Sequence, residues 1–308
     1  MRHGSRAAGA ATLLVLLLAG CGSGPGTGQP GEGSAPATLA PAPPTRPGNA
    51  LPLDAYLPSP EEQARSDRAQ ATLERACLTR YGLRWEGPDA LALETGGRMV
   101  LSERATRFGV VDPRQAERYG YHAPDWSTHN PRVRKLLARH ADVPRDVEKV
   151  LHGTATEFAD KPVPRNGCRS EAAGRLAAGA PQADRNLPGR LADEATAASA
   201  RDPRLTAVLK EWRTCMTGAG HRHGYTSPYA AAHDARWQRD EAPGERELAV
   251  AAADVRCQRQ AGYLPVLVEV TSRYQRDLIS RHTTELGRLK RLKDVRARNV
   301  AEALSTRP

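Results

Sequence analysis

The stretch Leu205-Thr206-Ala207-Val208-Leu209-Lys210-Glu211-Trp212-Arg213-Thr214-Cys215-Met216-Thr217-Gly218 decides the fold class. Leu205, Val208, Leu209, Trp212, Cys215 and Met216 recur every three or four residues, which is the period of a helix buried along one face. Asp202-Pro203 ahead of it supplies a cap and a first-turn proline, and Gly218 marks its end.

The same grammar extends on both sides. Ser59-Pro60-Glu61-Glu62 opens a helix with a capping box, and Ala69, Leu73, Ala76 and Cys77 make its apolar face before Gly82 stops it. Further helices are expected from Asp112-Pro113 to Tyr119, over 132–140 and 145–151, from Cys168, over 187–199, and from Glu245 through Cys257. Between Leu83 and Val111 the pattern weakens to short strands or helical turns around Gly96-Gly97, with Ser102 capping a helix through Phe108. After Pro265 a long helix is expected, with Leu267, Val270, Tyr274, Leu278, Leu286, Leu289 and Leu292 near heptad spacing. Its seam reads either as core or as a coiled coil for self-association, and the Arg/Lys-rich stretch 288–298 reads as a projecting basic end. No strand-rich region competes. The expected class is mostly α, an irregular helical domain with a long C-terminal helix.

The N-terminus has a different character. Arg2, His3 and Arg6 precede an apolar run from Ala7 to Leu18, and Leu18-Ala19-Gly20-Cys21 follows. About a dozen apolar residues are too few to span a bilayer, for which about 20 are needed. With a basic flank and small residues ahead of a cysteine, 1–20 reads as a lipoprotein signal peptide and Cys21 as the lipidated residue. Acyl chains on Cys21 contribute ~0.8 kcal/mol per buried methylene, so two or three would anchor the chain. Residues 21–58 are dominated by Gly, Pro, Ser, Ala and Thr and read as a disordered tether reaching ~30–35 Å. The remainder, 59–308, reads as one helical domain divisible into halves at 59–200 and 201–308.

Past Cys21 stand Cys77, Cys168, Cys215 and Cys257. An even count in an exported chain reads as two disulfides with three connectivities open. Metal ligation lacks any Cys-x-x-Cys or His-x-x-x-His pair near them, so no metal and no cofactor is expected. Arg75-Ala76-Cys77-Leu78-Thr79-Arg80-Tyr81-Gly82 aligns without gaps on Arg213-Thr214-Cys215-Met216-Thr217-Gly218-Ala219-Gly220, sharing Arg, Cys, Thr and Gly. That echo, and sequence order alone, favour Cys77–Cys168 and Cys215–Cys257.

A helix ending Trp-x-x-Cys-Met-x-x-x-Gly (Trp212 to Gly220) precedes an Ala-rich Asp-Val-x-Cys helix (Asp254 to Cys257), then a helix containing Tyr274-Gln275. This arrangement resembles uncharacterised secreted lipoproteins of actinobacteria. The resemblance implies a helical, disulfide-bonded envelope protein and supplies no activity or catalytic residue.

Cleavage before Cys21 removes Arg2 and Arg6 and lowers the formal charge from +10 to +8. Arg far outnumbers Lys, as in high-GC coding, so part of this charge reflects codon usage. A basic surface outside the membrane attracts anionic headgroups or wall polymers in a salt-sensitive way. Nucleic acid is not an expected partner of an exported chain.

Catalytic signatures are missing: there is no Gly-x-Ser-x-Gly elbow, Walker-type loop, dinucleotide fingerprint or His-Glu-x-x-His motif. Two aromatic and polar loops remain as candidate ligand contacts. One carries His122, Asp125 and Trp126; the other carries His221, His223 and Tyr225. The expectation is a lipid-anchored, extracytoplasmic, non-enzymatic binding or scaffolding protein of the cell envelope, meeting an anionic wall polymer or an envelope protein. The alternative is an envelope enzyme such as a cell-wall hydrolase, with His122 and Asp125 as its acid–base pair.

Overall fold

The structure, a computed structural model, describes residues 49–85, 90–139, 143–221 and 224–305. The signal segment 1–20, Cys21, tether residues 22–48 and His223 lie outside the described residues. In chain order the elements are α1 (Pro60–Thr79), α2 (Ala90–Thr106), α3 (Pro113–Tyr119), α4 (Pro131–Arg139), α5 (Arg145–His152), the strands β1 (Glu157–Phe158) and β2 (Lys161–Pro162), α6 (Gly167–Leu176), α7 (Leu187–Ser199), α8 (Pro203–Gly218), α9 (Pro228–Ala232), α10 (Glu245–Gln260), α11 (Tyr263–Arg281) and α12 (Thr283–Ser305). The strands form one small antiparallel ladder, and everything else regular is helical. The protein is mostly α. No helix among the described residues is long and apolar enough to cross a membrane.

Local chemistry sets the helix starts. The Ser59 hydroxyl accepts from the Glu62 amide at 3.1 Å, and Glu62 Oε2 accepts from the Ser59 amide at 2.7 Å. Asp112 and Asp202 cap α3 and α8 by accepting from the amides of Arg114 and Arg204. Helix α1 is the hub: it packs against α2, α5, α6 and α12. Contacts on several sides bury Ala71, Glu74 and Leu78 beside the expected Ala69, Leu73 and Cys77, whereas Ala76 faces solvent.

Both disulfides take the sequence-favoured pairing. Cys77–Cys168 ties α1 to α6 and Cys215–Cys257 ties α8 to α10, with Cα atoms 5.6 and 5.5 Å apart. Around them the apolar interior gathers in clusters. The largest joins Val110, Ala116 and Tyr121 to Trp212 and Met216 of α8 and Val250, Ala251 and Val255 of α10. A second sets Leu53, Leu187 and Leu191 against Leu278, Leu286 and Leu289. Both of these clusters mix residues from before and after 200, as does the packing of Ala69 and Leu73 against Val300 and Ala303, because α3 packs on α10, α7 on α11 and α1 on α12.

Several expectations are corrected. The Gly96-Gly97 region is neither strands nor separate turns: α2 runs through it as one helix of 17 residues. These glycines let α2 lie close to α1; a Cβ on Gly97 would come within 2.7 Å of the Pro60 carbonyl oxygen, and one on Gly96 would collide with the Asp67 carboxylate. Ser102 is accordingly mid-helix and buried, its hydroxyl accepting from Ser127 at 3.1 Å.

The long C-terminal helix is two helices. It breaks at His282, whose carbonyl accepts the first bond of α12 from Leu286. Each part faces different neighbours, α11 against α7 and α8 and α12 against α1 and α6, which a single straight axis would not allow. The seam is core rather than an exposed coiled coil: Leu278, Leu286 and Leu289 are buried. The basic end does not project either, because Val300 and Ala303 pack against Ala69, Leu73, Ala172 and Leu176.

Order also begins before residue 58. Pro52–Tyr56 forms a 3-10 turn with Leu53 buried, and the Leu53 amide donates to Gln275 Oε1 of α11 at 2.9 Å. Arg107 clamps this turn through both Asp54 oxygens at 2.8 Å.

Candidate functional site

The two loops singled out in the sequence converge on the N-terminal half of α10. Helix α3 ends at Tyr119, and the chain turns to place Tyr121 and His122 over that helix. Glu247 Oε1 accepts from the Tyr121 amide at 2.7 Å and pairs with His122 Nδ1 at 2.9 Å. His122 Nε2 lies 3.0 Å from the Asp240 carbonyl oxygen, so both ring nitrogens face acceptors. His122 and Glu247 are both buried. The second loop closes over the same place: Trp237 stacks on Tyr121 with ring centroids 5.5 Å apart, and Tyr225 packs on that cluster.

Deeper along α10, Asp254 collects three donors. Trp212 Nε1 donates at 2.8 Å, Gln258 Nε2 at 3.0 Å and the Tyr121 hydroxyl at 3.1 Å. Gln258 Nε2 also donates to the Val110 carbonyl at 2.8 Å. Burial pushes the Asp254 carboxyl up to about 7, against the three hydrogen bonds that favour its ionised form. Burial and the adjacent Asp254 carboxylate raise the Tyr121 phenol far above its ordinary range. Burial raises Tyr225 to about 12.

Sequence reading therefore found two members of this arrangement, His122 and Tyr225. Glu247, Asp254, Gln258, Tyr121 and Trp212 were missed as a network. A signal for them existed: Glu247, Asp254 and Gln258 fall seven and four residues apart, on the same stripe as Val250 and Ala251. Polar side chains on an otherwise apolar stripe must find partners inside the fold.

The other candidates are elsewhere. Asp125 lies 3.7 Å from Arg118, on the outer side of the loop. The Trp126 carbonyl accepts from Arg98 at 3.4 Å. His221 takes the helix-terminating bond, its amide donating to the Met216 carbonyl at 2.9 Å. Thus His122 and Asp125 engage separate partners, with both His122 ring nitrogens against Glu247 and Asp240. No group of three or more His, Cys, Asp or Glu residues among the described residues is arranged to hold a metal.

The first two landmarks of the C-terminal third meet directly, and the third bonds other parts of the fold. Trp212 of α8 bonds Asp254 of α10 directly, Gln275 of α11 receives the Leu53 amide, and the Tyr274 hydroxyl reaches Asp202, the cap of α8, at 3.4 Å. These residues work as internal joints. No protein-family model, curated protein or solved structure matches this chain.

Proposed function

We propose that the protein is a lipoprotein held on the outer face of the cytoplasmic membrane through Cys21, where it acts as a non-enzymatic binding or scaffolding module of the cell envelope. The basic, apolar and Leu18-Ala19-Gly20-Cys21 succession supports the anchor. The observation that carries the reading is the use made of reactive side chains. All four cysteines beyond Cys21 are paired, which fits an oxidising compartment, and His122, Tyr121 and Asp254 are consumed in internal hydrogen bonds. A protein built this way offers its surface rather than a reaction centre.

The anchor is tested by fractionating cells that express the chain or its Cys21→Ser variant. The parent is expected in the membrane fraction, with an acylated Cys21 peptide in mass spectrometry, and the variant outside it. Equal partitioning of both would overturn the anchor. The role is tested by co-sedimenting the Cys21→Ser chain with purified wall sacculi across a salt series. Retention that survives high salt supports a specific wall site, whereas retention that fades with salt reports only a basic protein on a polyanion. His122→Gln and Asp125→Asn should leave any such retention unchanged; loss of a wall-cleaving activity in them would favour the enzyme instead.

A further inference from the structure

Where the tether joins the fold, the structure forms a groove between α1, α12 and the segment ahead of α7. The groove encloses about 200 Å³. Four cationic side chains line it, Arg65, Arg185, Lys293 and Arg296, against one carboxylate, Glu62. Lys293 already has partners: it donates to the Leu57 carbonyl at 2.8 Å and lies 3.5 Å from Glu62. Arg296 does not have such a partner. It donates to the Ser66 hydroxyl at 3.3 Å, and among the described residues no carboxylate lies within ion-pair distance of Arg296 or Arg185.

Burial of Arg296 and repulsion from Arg185 both lower the pKa of Arg296, so its guanidinium sits where charge is disfavoured, beside a like-charged neighbour. Like charges held together without a counter-charge constitute a site for an anion, and guanidiniums suit a phosphate because they donate in a planar fork. Leu289, Leu292 and Val300 from α12 give the same groove an apolar wall. A free inorganic anion would gain nothing from that surface.

We propose that this groove binds an anionic phospholipid, its phosphate between Arg185 and Arg296 and its acyl chains against Leu289, Leu292 and Val300. The chain outside the structure points to the same occupant. Tyr56, Leu57 and Pro58, the last residues of the tether, form one wall of the groove. In sequence, 27 residues separate Cys21 from Asn49, where the described residues begin. Anchoring at Cys21 would bring the chain to the bilayer surface, where basic pockets recognise phospholipid headgroups. Delivery to that surface rests on the proposed anchor; the chemistry of the groove does not.

The test is calorimetric titration of the Cys21→Ser chain, which carries no acyl groups, with dihexanoyl-phosphatidylglycerol below its micelle concentration. Saturable one-to-one binding is expected. Dihexanoyl-phosphatidylcholine and inorganic phosphate should each bind at least roughly tenfold more weakly, the first for lack of net charge and the second for lack of acyl contact. Arg296→Gln and the exposed-site variant Arg185→Gln should each weaken phosphatidylglycerol roughly tenfold or more, the worth of a charge-assisted hydrogen bond. Arg185→Gln keeps the proposal testable if Arg296→Gln fails to fold. Equal binding of the two lipids, equal binding of phosphate, unchanged affinity in a folded variant, or no saturation with phosphatidylglycerol would each overturn the proposal. A chain that is never acylated at Cys21 would sink the anchor and leave this binding result standing.

Discussion

The molecule contains two disulfide-linked helix pairs, α1–α6 and α8–α10, that share a frame and differ in their interiors. Both first helices close with the same reversal. The Leu83 amide donates to the Leu78 carbonyl at 3.2 Å, and the His221 amide donates to the Met216 carbonyl at 2.9 Å. Those residues align one for one, and in each pair a glycine with positive φ, Gly82 at +71° or Gly220 at +85°, makes the reversal. The cysteine stands one residue before the accepting Leu78 or Met216 in both. One residue before the shared arginine the two diverge. Position 74 is a buried Glu, and position 212 is a buried Trp.

In the α1–α6 pair the buried charge is on the first helix. Glu74 takes a hydrogen bond from Gln70 at 2.9 Å and from Arg169, which follows Cys168, at 3.3 Å. In α8–α10 it is on the second helix, where Asp254 faces Trp212. The Glu74 site opens to solvent through a half-exposed Arg169, whereas the Asp254 site is closed by Tyr121 and Gln258. One terminal frame thus carries either a solvent-relieved ion pair or a sealed neutral-donor network. The chemistry of the pair follows from what seals it and is independent of the disulfide.

The largest expected effect tests the shared frame. Replacing both cysteines of a pair with Ser removes a cross-link closing 91 residues in α1–α6 and 42 in α8–α10. The chain-entropy relation gives losses of about 4.6 and about 3.9 kcal/mol. Urea unfolding of the two double variants should show both strongly destabilised, with the α1–α6 variant slightly more so. A much larger loss in α8–α10 would mean that its disulfide also holds the polar network in register.

Next comes the divergent position itself. Trp212→Ala removes a large buried side chain and leaves Asp254 Oδ1 with only its Gln258 hydrogen bond among the described residues, and should cost about 3–5 kcal/mol. Glu74→Gln keeps volume and hydrogen bonding with Gln70 and should cost about 1 kcal/mol. Similar losses by thermal or urea unfolding would erase the contrast between sealed and open sites.

The third prediction uses pH. Asp254 has a folded pKa of about 7 against an ordinary value of 3.8, so the folded state binds its proton more tightly than the unfolded state. Its contribution is fully present below about pH 4, is lost as pH rises to about 7, and is flat above that. The fall is on the order of a few kcal/mol. Asp254→Asn should flatten this part of the stability profile between pH 4.5 and 7.5. Subtracting one protein from the other isolates Asp254 from groups such as Asp54, where hydrogen bonds from Arg107 and the Leu51 amide outweigh burial and lower the pKa. An unchanged slope in the variant would show that Asp254 stays ionised in the fold.

The smallest effect lies on the surface. Arg80 occurs only in the first pair, since Gly218 takes its place in the second, and it reaches Glu171 of α6 at 2.6 Å. The Arg80 side chain is half exposed, so Arg80→Ala should change unfolding by under about 1 kcal/mol. A larger loss would assign Arg80 a structural share in the α1–α6 frame.

The sequence by itself determined the helices with strong caps and clean stripes. Ser59-Pro60, Asp112-Pro113 and Asp202-Pro203 each begin a helix where read, because capping needs only neighbouring residues. It also determined the class and favoured the disulfide pairing, since a repeated terminal pattern orders the cysteines. Only the tertiary structure decided the rest. Gly96-Gly97 became helix because α1 demanded a close approach, which no local propensity encodes. The heptad-like seam after Pro265 broke at His282 because its two parts found different neighbours. His122 was legible as a polar residue in an aromatic loop, but its partner Glu247 is 125 residues away. Leu53 seemed part of a tether until Gln275, 222 residues distant, accepted its amide. Periodicity and caps are properties of adjacent residues, whereas the fate of a buried polar group depends on which distant chain segment arrives to satisfy it.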